Sequence, residues 1–245
     1  MRELRICQMG VDLTCGTLLP LDEDATGHLV RVLRCTEGTP FVVFDGAGVA
    51  CQAVLKLQGK KAYAALGTRV ELARESPLHI ELGQVVSRGE KMEFTIQKAV
   101  ELGVAVIAPL SSERCGVQLD KERAQRKVRQ WQAIARAASE QCGRAVVPQI
   151  NELTTLKSWL ARDLDKLSLL LSPAQGQRIN TLGNDVCTAG ALRMLVGPEG
   201  GLSSDEEQQA LELGFKALSL GPRVLRTETA ALCALSALQA MYGDI

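Results

Sequence analysis

The rhythm of hydrophobic and polar positions changes once along the chain, near residue 75. Before that point the apolar runs are short and end in turn residues. Phe41-Val42-Val43-Phe44 stops at Asp45-Gly46, a second run occupies 48–57, Gln58-Gly59-Lys60-Lys61 turns the chain, and 62–66 resumes it. Such runs predict antiparallel strands joined by tight turns, with a further strand near Val70-Glu71-Leu72. One helix interrupts them, opened by Asp22-Glu23-Asp24, whose carboxylates suit the positive end of a helix, and running through about Arg34, with Gly38 beyond its end. The pattern predicts a small β-barrel.

From Pro77 onward, apolar runs at 79–86, 104–110, 146–150, 167–171, 192–196 and 217–220 alternate with helical periodicity at 90–102, 121–142, 154–161, 204–213 and 228–241. Strands and helices taking turns predict an α/β domain whose mostly parallel sheet is covered on both faces. The boundary falls at Arg74-Glu75-Ser76-Pro77, giving domains 1–74 and 77–245. The length of 245 residues and the 46% hydrophobic content suit two such cores.

Composition then narrows the chemistry. No run approaches the roughly 18 apolar residues of a membrane span, and Met1-Arg2-Glu3-Leu4-Arg5 lacks the apolar stretch of a signal peptide, so a cytoplasmic protein with no membrane partner is expected. The eight cysteines form no C-x-x-C pair, which predicts free thiols rather than a zinc ribbon. With only His28 and His79, a multi-histidine metal site is excluded and no metal is expected. Aromatics at 3% argue against a sheet that stacks bases on its face.

The net charge of zero conceals a partition. Residues 76–150 carry 11 basic and 8 acidic groups, and residues 151–245 carry 8 and 11. Within 121–142, helical spacing puts Arg126, Arg129 and Arg136 opposite Val128, Trp131 and Ala135. This face is either solvated or a basic footprint for an anionic partner. In the small domain His28, Arg31 and Arg34 share a helix edge at i, i+3, i+6, with Leu29, Val32 and Leu33 turned toward the barrel. That edge could grip phosphates or simply face water.

Three segments look like chemistry rather than scaffold. In 195–203 a hydrophobic strand runs into Gly197-Pro198-Glu199-Gly200-Gly201, after which Ser203 and Glu206 form a capping box. The loop fits neither phosphate-binding glycine pattern, and Glu199 would repel a phosphate, so a purine read by backbone groups, or a ligand with a positive centre, is the better guest. In 218–230 another strand enters Gly221-Pro222, with Arg223 and Arg226 projecting and Thr227 placed to cap the last helix. The third strand, 169–171, stops at Ser172-Pro173-Ala174. Strand carboxyl ends are where open parallel sheets bind ligands.

At these residues the chain resembles the ribosomal RNA small subunit methyltransferase E family of the knotted SPOUT class. The resemblance is carried by 28–34 (H-x-x-R-V-L-R), Phe44-Asp45-Gly46, Gly89-Glu90-Lys91-Met92-Glu93, 97–103, Ser112-Glu113-Arg114, Glu140-Gln141-Cys142-Gly143-Arg144, Val147-Pro148, 197–202 and 220–230. It departs where Cys115-Gly116-Val117 replaces a Ser or Thr with two valines, and where Ile6-Cys7 replaces an aromatic.

The resemblance implies a PUA-like barrel before a SPOUT-type domain threaded as a trefoil knot, a homodimer, S-adenosyl-L-methionine as cofactor, and 3-methyluridine in 16S rRNA of the assembled small subunit as product. It implies a cofactor site at Leu171, Ser172, Val196, Gly197, Pro198, Glu199, Gly200, Gly201, Leu220, Gly221, Leu225, Thr227, Thr229 and Ala230. RNA contacts are expected from His28, Arg31, Arg34, Arg88, Lys91, Arg114, Arg129, Arg136 and Arg144. Uridine N3 must lose a proton before it accepts a methyl group, so Arg226, with Arg223, is expected to stabilise the anion. Glu199 or Glu228 is expected to accept the proton or position an arginine. A non-catalytic RNA-binding assembly factor on the same fold is the alternative. A small-molecule enzyme would leave the barrel and basic helix without purpose.

Overall fold

The computed structural model describes residues 3–163, 165–172 and 176–245, with backbone alone at 184, 187 and 188. It comprises two compact units, Met1–Glu75 with Arg136–Val147, and Ser76–Ala135 with Pro148–Ile245. Residues 136–147 thus pack with the first unit although they follow the boundary expected at 77.

The first unit is a five-stranded sheet built from β1 (Arg5–Cys7), β2 (Leu18–Pro20), β3 (Pro40–Phe44), β4 (Ala50–Gln58) and β5 (Lys61–Arg69), in the order β1-β3-β4-β5-β2. All pairings are antiparallel except β1 with β3. Alternation along β4 buries Cys51, Ala53 and Leu55 against Phe41, Val43, Ala64 and Leu29. The separate strand expected at 70–72 does not form. The chain leaves β5 after Arg69, although the Val70 N–H still donates to the Ala50 carbonyl at 2.9 Å.

The expected helix is short. Asp22 caps α1 (Glu23–Thr26) by accepting from the Ala25 N–H at 2.7 Å, and the chain then widens into a π-turn over Gly27–Val32, where the Leu33 N–H donates to the His28 carbonyl. A wider turn rotates side chains away from α-helical positions. Leu29 is therefore buried while Val32 and Leu33 are exposed, contrary to the reading of all three as barrel-facing. Arg34 leaves the turn with a left-handed backbone, φ 54°.

The rest of this unit explains why 136–147 joins it. Glu75 accepts from the Arg144 Nε at 2.9 Å and from the Ala145 and Val146 N–H groups at 3.2 Å, and Arg5 Nη2 donates to the Arg144 carbonyl. Arg136 donates to the Cys7 carbonyl and lies 3.5 Å from Asp22. The Cys7 N–H donates to Glu140 at 2.8 Å. Burial pushes the Cys7 thiol up to about 12, so it is inert packing.

The second unit is an eight-stranded parallel sheet. Its elements in chain order are β6 (His79–Val85), α2 (Lys91–Glu101), β7 (Val106–Ser111), α3 (Lys121–Cys142), β8 (Gln149–Ile150), β9 (Thr154–Thr155), α4 (Leu156–Leu160), β10 (Leu167–Leu171), β11 (Gln177–Arg178), α5 (Asn184–Ala189), β12 (Ala191–Val196), α6 (Ser204–Glu212), β13 (Lys216–Ser219) and α7 (Thr227–Tyr242). The last turns of α3 belong to the first unit. The strands lie in the order β11-β13-β10-β12-β6-β7-β8, with β9 also on β7. Only 149–150 of the apolar run at 146–150 is a strand of this sheet, because Val146 bridges Gly46 and Ala47 in the first unit.

Trp159 anchors one face of the sheet. Its ring rests where a Cβ on Gly83 would lie 2.6 Å away, its indole N–H donates to Glu81 at 2.7 Å, and the buried Arg193 guanidinium stacks 4.0 Å from its ring centroid. Desolvation lowers the Arg193 pKa, and carbonyl acceptors at Trp159 and Arg162 hold the charge in place.

Candidate functional site

Because β10 pairs with both β12 and β13, their carboxyl ends emerge side by side. They surround a cavity of about 410 Å³, within the size range of small-molecule and cofactor sites. Leu171, Val196, Leu218, Leu220 and Ala230 give it an apolar lining, while Lys91, Glu199, Glu207, Arg223 and Arg226 supply charge.

Local sequence fixes each wall. In the glycine loop the Gly201 N–H donates to the Pro198 carbonyl at 2.9 Å and Gly201 takes φ 70°, a conformation that favours glycine. Ser203 and Glu206 then close the expected capping box on α6. Glu206 also accepts from the Glu113 N–H at 2.8 Å, and Arg114 donates to the Leu202 carbonyl at 3.2 Å, so the Ser112-Glu113-Arg114 segment buttresses the loop. Across the cavity Gly221 adopts φ 106° as β13 turns toward α7. Thr227 is not the cap. Arg226 occupies that position without a side-chain bond, and the Thr227 hydroxyl donates instead to the Gly197 carbonyl at 2.7 Å.

The carboxylates differ from expectation. Glu199 accepts from Lys91 Nζ at 3.1 Å and from the Arg88 N–H at 3.4 Å. Desolvation acts to raise its pKa, but hydrogen bonds from its own backbone, Lys91 and Arg88 outweigh it and hold the carboxyl below the ordinary value. A carboxylate so stabilised is a weak base. Glu228 carries a buried Oε2 with no hydrogen-bond partner. Among the described residues neither Arg223 nor Arg226 forms an ion pair with Glu199 or Glu228, so neither carboxylate positions an arginine here.

Of the cofactor residues read from sequence, Leu171, Ser172, Val196, Gly197, Pro198, Glu199, Gly201, Leu220, Gly221, Leu225, Thr227 and Ala230 line the cavity. Gly200 and Thr229 do not, being exposed outside its lining. Pro173 and Ala174 lie outside the described residues. Leu202, Leu218, Glu207 and Val224 were missed, and Lys91 was assigned to RNA alone. Helical spacing offers a signal for Glu207, one turn after the cap Ser203.

The basic residues divide. His28, Arg31, Arg34 and Arg129 are exposed, as are Arg88 and Arg114. Arg88 donates to the Gly116 carbonyl at 3.1 Å, and its guanidinium lies over the residue that departs from the family pattern. Arg144 and Arg136 are corrections. Arg144 is buried on Glu75, and Arg136 is bound to Asp22, Glu140 and the Cys7 carbonyl, so their charges are committed within the chain.

The site therefore offers apolar strand ends, exposed backbone and two carboxylates, without a phosphate cradle. That donor set fits a ligand with a neutral planar part and a cationic part. Among the described residues no cluster could hold a metal ion, and no helix is long and apolar enough to cross a membrane.

Residues 74–239 match the RNA methyltransferase domain family, and residues 21–66 match the RNA methyltransferase PUA domain. The ribosomal RNA small subunit methyltransferase E of Buchnera aphidicola subsp. Acyrthosiphon pisum is 38% identical over 95% of this chain and 92% of its own. A Neisseria gonorrhoeae enzyme of that name, solved bound to S-adenosyl methionine, superposes with TM-score 0.92 at 37% identity over the whole of both chains. A Legionella pneumophila protein described as a methyltransferase, solved with the same cofactor, gives 0.94 at 40% identity, again over both whole chains. The parallel sheet, the glycine loop and these matches together make the chain a member of the RNA methyltransferase family that includes ribosomal RNA small subunit methyltransferase E.

Proposed function

We propose that the protein transfers a methyl group from S-adenosyl-L-methionine to N3 of a uridine in the 16S rRNA of the assembled small ribosomal subunit. The observation that carries this reading is the cavity at the ends of β10, β12 and β13, with its glycine loop on one side and Arg223 and Arg226 on the other. The cofactor supplies an activated methyl on a sulfonium. Leu171, Val196, Leu218 and Leu220 would take its neutral adenine, and the loop backbone that lines the cavity at Glu199 and Gly201 would meet its edge. Glu199 and Glu207 favour its positive charges.

Arg226 and Arg223, which line the cavity, would supply a uracil anion with its positive partner, since a guanidinium presents a charged fork of donors. Glu199, paired with Lys91, serves as a fixed negative charge rather than as the proton acceptor. Alignment of methyl and N3 is the remaining contribution of the walls.

The same reading includes a homodimer, a cytoplasmic location and a trefoil knot. Val224 at the cavity rim, an apolar side chain 83% exposed, supports a second subunit covering that edge. The insertion of β13 between β10 and β11 supports a chain that re-enters its own sheet. Calorimetry with S-adenosyl-L-methionine tests the reading. One cofactor per chain is expected, and no heat of binding would favour the non-catalytic assembly factor.

A further inference from the structure

We propose that Gln84, which lies outside the cavity lining, is a positioning residue for the cofactor. It orients Thr227 so that Thr227 pins the glycine loop to the start of α7. The inference rests on the cofactor reading above and deepens it.

Gln84 is the penultimate residue of β6, fully buried, and in register with Val196 on β12, the residue just before the loop. Its Nε2 donates to the Thr227 Oγ1 at 2.9 Å and to the Val85 carbonyl at 3.1 Å. Thr227 Oγ1 in turn donates to the Gly197 carbonyl at 2.7 Å. The donor order is forced. A carbonyl only accepts, so the single hydroxyl proton of Thr227 goes to Gly197, and the hydroxyl oxygen must then receive a proton from Gln84. That fixes which end of the Gln84 amide faces Thr227.

The relay links three elements by side-chain hydrogen bonds: strand β6, helix α7 and the loop after β12. It also sets the polarity of one wall. Pro198 has no N–H and the Gly197 carbonyl accepts from Thr227, so the 197–198 peptide offers the ligand no donor and its acceptor is already engaged. Gln84 Oε1 is buried without a partner, an unfavourable arrangement that an apolar side chain of similar length would avoid. What the amide contributes in return is the donor to Thr227.

The test uses the full chain, titrated calorimetrically with S-adenosyl-L-methionine, in four forms: the parent, Gln84→Met, Thr227→Val and Thr227→Ser. Gln84→Met keeps length without the donor, Thr227→Val keeps shape without the hydroxyl, and Thr227→Ser keeps the hydroxyl. Dissociation constants about tenfold higher are expected for Gln84→Met and Thr227→Val, with Thr227→Ser within about twofold of the parent. The double variant Gln84→Met/Thr227→Val should be no weaker than Thr227→Val alone, because both act through one chain of bonds. In turnover, KM for the cofactor should rise while kcat at saturation holds. Near-ultraviolet circular dichroism verifies folding, and if Gln84→Met does not fold, Gln84→Leu takes its place. Parental affinity in the folded donor-deleting variants, or additive losses in the double variant, overturns the relay alone. Failure of the parent to bind the cofactor overturns the cofactor reading and the relay with it.

Discussion

Two groups of arginines share this chain and meet opposite fates. Arg5, Arg136, Arg144 and Arg193 turn inward, each onto a carbonyl, a carboxylate or an aromatic ring. Arg129, Arg223 and Arg226 turn outward, the last two over the cavity. The inward group shows what an arginine needs to be structural, namely fixed acceptors that replace its hydration. The outward group keeps its charge available to a ligand. Guanidinium chemistry is the same in both, so burial and partners alone decide the role.

Substitutions can separate the two groups, and the largest effect belongs at the cavity. Arg226→Ala should lower kcat by about 10²–10³-fold, the scale of losing one stabilising donor, with thermal stability and cofactor affinity nearly unchanged. Methyl-transfer assays beside a melting curve measure both; a folded variant with parental turnover would remove Arg226 from the chemistry. Arg144→Ala should do the reverse. Losing the buried partner of Glu75 should cost on the order of 3 kcal/mol of stability by denaturant unfolding, with little change in cofactor affinity while the chain remains folded.

The surface helix gives a smaller contrast. Arg129→Glu should weaken binding to small subunits and reduce the salt slope by about one phosphate contact, without a change in melting temperature. Arg136→Ala should instead lower the melting temperature. Equal salt slopes for Arg129→Glu and the parent would return that face to plain solvent.

The smallest effect concerns Glu199. Its pKa is depressed, so the stability from its pairing is present above the ordinary value of 4.5 and is lost as pH falls through the depressed one. The pair is partly exposed and should be worth less than about 1 kcal/mol. A carboxyl titration followed by NMR should find Glu199 below 4.5 and, in Lys91→Met, nearer to it.

Much of the scaffold was legible in the pattern. Helix 121–142, the capping box at Ser203 and Glu206, and strand 167–171 follow from local spacing, since each signal lies within a few residues. What escaped depends on distant partners or unusual backbone. Arg136 and Arg129 look alike in a helical projection, and only the approach of Asp22 and Cys7 separates them. The π-turn at Gly27–Val32 spoils a face that α-helical spacing would have formed. Helix α5 follows Gly183 at its N-cap, which has no side chain to cap it, so nothing local announces it. The site was legible as strand ends with breakers, but Gln84 was not, because its importance lies in what Thr227 does 143 residues later.

The central claim is best tested by nucleoside mass spectrometry. Small subunits lacking the modification would be incubated with the protein and S-adenosyl-L-methionine, and their 16S rRNA digested. A new 3-methyluridine peak that requires both protein and cofactor is the predicted result. Its absence, with cofactor binding intact, would contradict the assignment.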